Sequence, residues 1–407
     1  MKRRRLSLFS VFFTFFIDNL SWSIVFPILA PYFLDPENRV FSVEVSDARR
    51  TAILSLFLMA FSLGQFLGAP LLGEYADKYG RKRALGVSVF FTLVGLALSA
   101  WSMEMGYLEL LFVGRFVTGI FASNMPICLA AVTDLSVDER AQVKNFGYLS
   151  VCAGLSFVVG AFVGGMLSDP GVNAFFSPYL PIWLATGLSL VNFIFIVWGF
   201  QETKRVQPDV KYNFFESFSN IKKALQTERI KRSYAIYFLF FLAWTILLQF
   251  IPVLVVHSFG FTGSNLGILS LYMGICWAVG SGYLNRWLTR YFAPLKILNV
   301  CLVCFTVLCG LIAFPSAISG VIVLLGCCVM LGGLAWPLCT SVISNLAPKT
   351  MQGKVLGMSQ SMQSLAMTIA PLIGAAAYQA FSVLPFLIGA FASLTASIIY
   401  FSFKNAK

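Results

Sequence analysis

Residues 73–83 read Gly73-Glu-Tyr-Ala-Asp77-Lys-Tyr-Gly80-Arg81-Lys82-Arg83. The stretch is a charged hinge between two long apolar runs, 51–73 and 84–102. Gly80 can reverse the chain tightly between two helices, because it has no Cβ to forbid a positive φ. Asp77 stands near the end of one helix, where a carboxylate engages helix N-termini or basic partners. The Arg-Lys-Arg run alone reads as an ordinary basic loop beside a membrane. The ordered spacing of Gly, Asp, Gly and cations sets this segment apart.

Outward from the hinge the chain is almost continuously apolar. Of 407 residues, 58% are hydrophobic and 11% charged, where a soluble domain carries about 25% charge. Runs long enough to span a bilayer, about 20 residues each, fall at 7–33, 51–73, 84–102, 110–134, 146–167 and 182–200. A second set falls at 233–258, 266–286, 297–315, 320–346, 355–380 and 385–403. This composition excludes a soluble enzyme, a disordered chain and a large catalytic domain outside the membrane. Continuous runs also exclude an outer-membrane barrel, whose strands alternate.

The net charge of +12 reads as topology and gives no support to a nucleic-acid partner. With twelve alternating spans and a cytoplasmic N-terminus, 25 of the 29 Lys and Arg lie on the cytoplasmic side. That face then carries about +16 and the outer face about −4, as the positive-inside rule requires. The start, MKRRRLSLFSVFF, resembles a signal peptide but has no small-residue cleavage site, so it reads as an uncleaved first helix. The nine cysteines lie almost all within spans; Cys301 and Cys304, one turn apart without a His, read as packing thiols.

The halves repeat at an offset of 210–211: Pro126 with Pro337, Asp134-Leu135 with Asn345-Leu346, Gly147 with Gly357. The expected fold is all-α and membrane-integral, twelve transmembrane helices in two pseudo-symmetric six-helix bundles. The bundles are 1–200 and 233–407, joined by a linker at 201–232. In that linker Phe214, Phe215, Phe218, Ile221 and Leu225 fall at helical spacing beside Lys222 and Lys223, predicting an amphipathic helix on the cytoplasmic leaflet.

The hinge resembles the signature loop of the major facilitator superfamily, the GxLaDrxGrkr pattern, at Gly73, Asp77, Gly80, Arg81 and Lys82. Tyr75 replaces the usual small apolar residue. The second-half counterpart, Gly282 to Arg290, lacks the acid. With the spans and the repeat, the resemblance covers essentially the whole chain and implies a major facilitator fold. It further implies a secondary transporter that works by alternating access, with the hinge as a conformational latch.

A narrower resemblance is to the tetracycline-type drug:proton antiporters. It rests on Asp18 with Pro27 and Pro31 in the first span, and on Asp134, Glu139-Arg140 and Phe146-Gly147 after the fourth. Gly114-Arg115-Phe-Val-Thr-Gly119 is similar to the fourth-helix RxxxG motif linked with proton coupling, without its intermediate Gln. A departure lies in the fifth span. Gly160-Ala161 stands where such exporters carry Gly-Pro, which bears on direction.

Asp18 and Arg115 are ionisable residues inside spans, each costing roughly 2.5–3.5 kcal/mol to insert. A lone mid-membrane carboxylate can take up and release a proton as access alternates, so Asp18 is the proton-carrier candidate and Arg115 its modulator. The plainer reading of Asp18 is a packing hydrogen bond to Ser21 or a neighbouring helix. Candidate cavity residues are Asn19, Trp22, Asn124, Trp244, Gln249, Trp336, Thr340, Gln360 and Gln363. With 41 Phe they favour a bulky amphipathic small molecule. Gln65 borders the set, and His257 reads as an interfacial residue.

The chain shows no GxxxxGK[ST] loop, no metal cluster and no catalytic set. A non-enzymatic, proton-driven carrier without cofactor is expected. Its partners are a small-molecule substrate and membrane lipid, and it acts as a monomer since one chain holds both halves. The expected location is the bacterial inner membrane, multi-pass, with both termini cytoplasmic. Export of a drug-like compound, import of a metabolite or siderophore by symport or facilitated diffusion, and a non-transporting sensor or scaffold all stay open at this point.

Overall fold

The computed structural model describes residues 2–35, 40–41, 45–203, 228–314, 317–346 and 352–404. Its regular structure among these residues is helical, without strands. The first span is a broken pair, α1 (Lys2–Ser23) and α2 (Phe26–Leu34). The break falls where Pro27 has no N–H to offer the Ser23 carbonyl. There follow α3 (Asp47–Tyr79), α4 (Arg81–Met105), a second broken pair α5 (Leu108–Phe121) and α6 (Met125–Leu135), α7 (Glu139–Leu167) and α8 (Leu180–Gly199). The α5/α6 break precedes Pro126 for the same reason.

Beyond the linker come α9 (Glu228–Phe259), α10 (Gly263–Ala278), a π-helical turn Val279–Leu284, and α11 (Asn285–Leu288). The series closes with α12 (Pro294–Ile312), α13 (Ile318–Leu346), α14 (Gln352–Ala380) and α15 (Leu384–Lys404).

Each predicted run coincides with one of these helices or helix pairs. Among the described residues nine are long and apolar enough to cross a membrane, and Val151–Leu167 and Leu384–Tyr400 are shorter apolar helices. One boundary differs from expectation. The hinge motif is mostly helix, because α3 continues to Tyr79 and only Gly80, at φ 95°, leaves the helical region. Hydropathy ends a span where charge begins, whereas a helix ends where its hydrogen bonds do. The amphipathic helix predicted in the linker lies mostly outside the described residues.

The chain forms two compact units. One comprises Met1–Val45, Ala60–Phe214 and Thr262–Ser270; the other Ser46–Met59, Phe215–Phe261 and Leu271–Lys407. In the first unit α4 packs along α5 and α8, and α1 along α7 and α8. Val11, Phe15, Ala76, Leu85, Cys128 and Phe200 form its buried core. Small residues set how close these helices come. A Cβ on Gly164 would stand 2.9 Å from the Ile24 carbonyl carbon, and one on Gly64 2.8 Å from the Ile120 nitrogen.

In the second unit α9 packs along α15 and α14, and α12 along α13 and α15. Val300, Val303, Val307 and Leu311 line one exposed face of α12 at helical spacing. Water would make that face costly, whereas lipid satisfies it.

Candidate functional site

The α5/α6 break builds the polar site of the first unit. Pro126 forces the chain out of helix at Ala122–Asn124, and Asn124 becomes the residue that starts α6. Its amide Nδ2 donates to Asp18 Oδ2 at 2.6 Å. The Ser88 hydroxyl from α4 lies in hydrogen-bond contact with both Asn124 Oδ1 and the Phe121 carbonyl, which the break leaves available. With its Oδ1 occupied, the Asn124 amide is oriented to present N–H to the carboxylate. Asp18 is therefore held, half-buried, by a neutral donor. Asn124, a cavity candidate by sequence, is a partner of the acid, and Asn19 donates to the Phe15 carbonyl of its own helix at 2.7 Å.

Arg115 is 3% exposed. Its guanidinium carbon sits 4.5 Å from the centre of the Phe61 ring of α3, a cation–π geometry. Asn124 is nine residues further on, about 14 Å at 1.5 Å per residue. Among the described residues no ion pair joins Arg115 to Asp18.

At the other end of these helices the hinge is woven into the first unit. Arg81 Nε stands 3.7 Å from Asp134 Oδ2, and the Thr203 hydroxyl donates to the same oxygen at 3.1 Å. Arg4 Nε donates to the Leu135 carbonyl at 2.6 Å. Glu202 caps α4: its Oε1 accepts from the Arg81 N–H at 2.8 Å and its Oε2 from the Lys82 N–H at 3.1 Å. The carboxylate thus satisfies donors that an α-helix start leaves open and faces its positive end. Any side chain at Gly80 would collide with it. The side chain of Asp77 lies outside the described residues, and Gly73 has open space around it. Replacing Glu202 with Ala is expected to cost about 1 kcal/mol. Hydrogen exchange should show it as faster exchange at the Arg81 and Lys82 amides.

The second unit holds an aromatic ladder. Tyr237 and Phe241 lie 4.7 Å apart between ring centres, and Phe241 meets Trp336 at 6.4 Å. Trp336 meets Trp277 at 5.6 Å, and Trp277 meets Trp244 at 5.2 Å. Gly332 leaves room for the Trp244 ring, whose Cε3 stands 2.7 Å from where a Cβ would be. The sequence offers Trp244 and Trp336 as cavity candidates and gives no signal for Trp277, one more aromatic inside an apolar run. Thr340 donates to the Trp336 carbonyl of its own helix at 3.1 Å.

Gln363 accepts from the Tyr237 hydroxyl at 3.5 Å. Gln249 Oε1 is buried without a hydrogen-bond partner among the described residues. In the first unit Trp22 packs on Phe157 at 5.8 Å. The Gln360 side chain lies outside the described residues. His257 is exposed and pairs with the Tyr378 ring at 6.1 Å. Among the described residues no His, Cys, Asp and Glu cluster could hold a metal.

Asp169, just past α7, is a polar anchor that the sequence did not single out. Its Oδ2 accepts from the Ser264 hydroxyl at 2.6 Å and the Ser264 N–H at 3.2 Å, and its Oδ1 from the Gly171 N–H at 2.9 Å. Burial pushes this carboxyl up, but the hydrogen bonds from Ser264, Thr262 and Gly171 together hold it below the ordinary carboxylate range. A depressed pKa stabilises the fold above the unfolded value, about 3.9, and that contribution fades as pH falls through the lower folded value. The thermal stability of wild type should therefore exceed that of Asp169→Asn at neutral pH. The gap should close as pH drops below about 4.

Helices of this length and apolarity, with a carboxylate and a guanidinium embedded in them, define a multi-pass membrane protein. The family model described as Major Facilitator Superfamily matches residues 11–334 and 234–407, and the chain belongs to that family. It is 23% identical to the tetracycline resistance protein, class E, of Escherichia coli, over 90% of this chain and 86% of that protein. Multidrug resistance protein 2 of Bacillus subtilis (strain 168) is 24% identical, with 87% of each chain covered. Among solved structures, the human organic anion transporter MFSD10 (TETRAN) aligns with TM-score 0.73 at 19% identity, covering 98% of this chain and 99% of that one. The D-xylose-proton symporter aligns with TM-score 0.74 at 14% identity, covering 96% and 97%.

Proposed function

We propose that this chain is a proton-coupled exporter of drug-like or amphipathic organic compounds, working by alternating access. It acts as a monomer in the bacterial inner membrane, with both termini cytoplasmic and the proton gradient as its only energy source. The observation that carries the reading is Asp18, an acid within a span whose hydrogen-bond partner is the neutral amide of Asn124. Taking up a proton there breaks no ion pair with Arg115, so the group can cycle between charged and neutral forms as its access changes. Asn124 and Ser88 position the carboxylate, and Arg115 biases it from further along the fourth span.

We assign the flat organic ligand to the aromatic rings of the ladder once access opens there, and Gln249 Oε1, buried without a hydrogen-bond partner among the described residues, as an acceptor available to a donor. Relatives named for resistance to tetracycline and to multiple drugs support that substrate class. The Arg81–Asp134 pair and the Glu202 cap hold the hinge in one arrangement, and we assign the hinge the latch role.

One observation favours import instead: α7 runs unbroken through Gly160-Ala161, where exporters of the resembling group carry a Pro. Inside-out vesicles with an acid interior separate the two. Export predicts accumulation of tetracycline or a fluorescent cationic dye inside the vesicle, driven by outward proton movement. Proton-coupled import predicts ligand leaving a preloaded vesicle together with protons.

A further inference from the structure

We propose that the outer face of the third and sixth spans carries a binding groove for an anionic glycerophospholipid, with its phosphate at Lys82 and Arg83 and an acyl chain along Phe90, Phe91 and Phe193. Between α4 and α8 runs an open groove of about 620 Å³ lined by these residues. Its chemistry is graded along its length. Lys82 and Arg83 stand at one end, and among the described residues neither makes an ion pair. From Arg83 the α4 face continues through Gly86, Val87 and Phe90 at helical spacing, seven residues or about 11 Å of apolar wall. Across it α8 contributes Phe193 and Val197 one turn apart, and the Phe90 and Phe193 rings meet at 5.7 Å.

Two further observations set the occupant. Phe90 and Val197 are exposed, so the groove opens outward onto the surface that meets lipid. Trp198, beside it, is 82% exposed, as befits an aromatic at the membrane–water boundary. With Lys82 and Arg83 in the first turn of α4, we assign the two cations to headgroup depth. The wall is open at Gly86, where an added Cβ would touch nothing within 4 Å. Two cations at headgroup depth, above a slot of acyl-chain character, select a lipid with net negative charge over a zwitterionic one. Phe91, which also lines the groove, stacks on Phe121 at 4.5 Å, beside the α5/α6 break. An occupied groove would therefore buttress the element that presents Asn124 to Asp18.

The test is native mass spectrometry of the purified full chain in detergent, titrated with phosphatidylglycerol or phosphatidylcholine of matched acyl chains. Wild type should retain phosphatidylglycerol over phosphatidylcholine with a preference of about tenfold or more, since two cations at headgroup depth favour net negative charge. The double variant Lys82→Gln, Arg83→Gln should lose the preference. Arg83→Gln alone, at an exposed side chain, should weaken it and guards against a folding defect. Gly86→Leu, which fills the slot and keeps both charges, should reduce retention of the lipid. Equal retention of the two lipids by wild type, or a preference unchanged by removing the cations, would overturn the proposal. So would displacement by inorganic phosphate with no effect of Gly86→Leu, since the site would then hold phosphate without a lipid.

Discussion

Asp18→Asn should reduce gradient-driven ligand accumulation to that of protein-free vesicles, while expression and ligand exchange without a gradient stay near wild type. The substitution is nearly isosteric, and its amide oxygen can still accept from Asn124 Nδ2, so the α1–α6 contact survives. What disappears is the single titratable group of that contact. Coupling depends on a group that is charged in one access state and neutral in the other, and an amide is neutral in both. A purely packing role for Asp18 predicts the opposite pattern, with intact coupling and a change in stability. Flux assays with and without an imposed pH gradient, on the same preparation, read both.

A large structural effect is expected at Gly164→Leu. Its Cβ would stand 2.9 Å from the Ile24 carbonyl carbon and closer still to the oxygen, against backbone at the α1/α2 break. No side chain can swing aside to relieve that overlap, so α7 must move off the first span. Overpacking of this kind costs about 1–3 kcal/mol, and a backbone obstacle puts this site at the upper end. Gly154→Leu, on the same helix but with nothing within 4 Å of its Cβ, supplies the control. Thermal unfolding in detergent should separate the two variants clearly.

The spans were legible in the sequence because hydropathy is a property of each segment by itself. Gly80 was legible too: a glycine between two apolar runs signals a turn before any tertiary contact is known. Pairings across the fold were not. Asp18 was singled out by its cost within the bilayer, yet its partner Asn124 lies 106 residues away, and a short amide within a span fits many contacts. Glu202, 121 residues from Arg81, reads in sequence as one more solvated charge after the sixth span. Only the fold reveals it as the cap of α4. The ends of α3 and the role of Trp277 were hidden for a related reason, since hydropathy marks what enters lipid and not which helix or ring lies alongside.

In the proposed mechanism Asp18 carries the proton that moves against the ligand. The most direct measurement is the pH inside proteoliposomes, followed with a trapped indicator as ligand is added, for wild type beside Asp18→Asn. Antiport through Asp18 should give ligand-dependent proton movement opposite in direction to the ligand in wild type, and none in the variant. Proton movement in the same direction as the ligand, or countermovement that persists in Asp18→Asn, would contradict it.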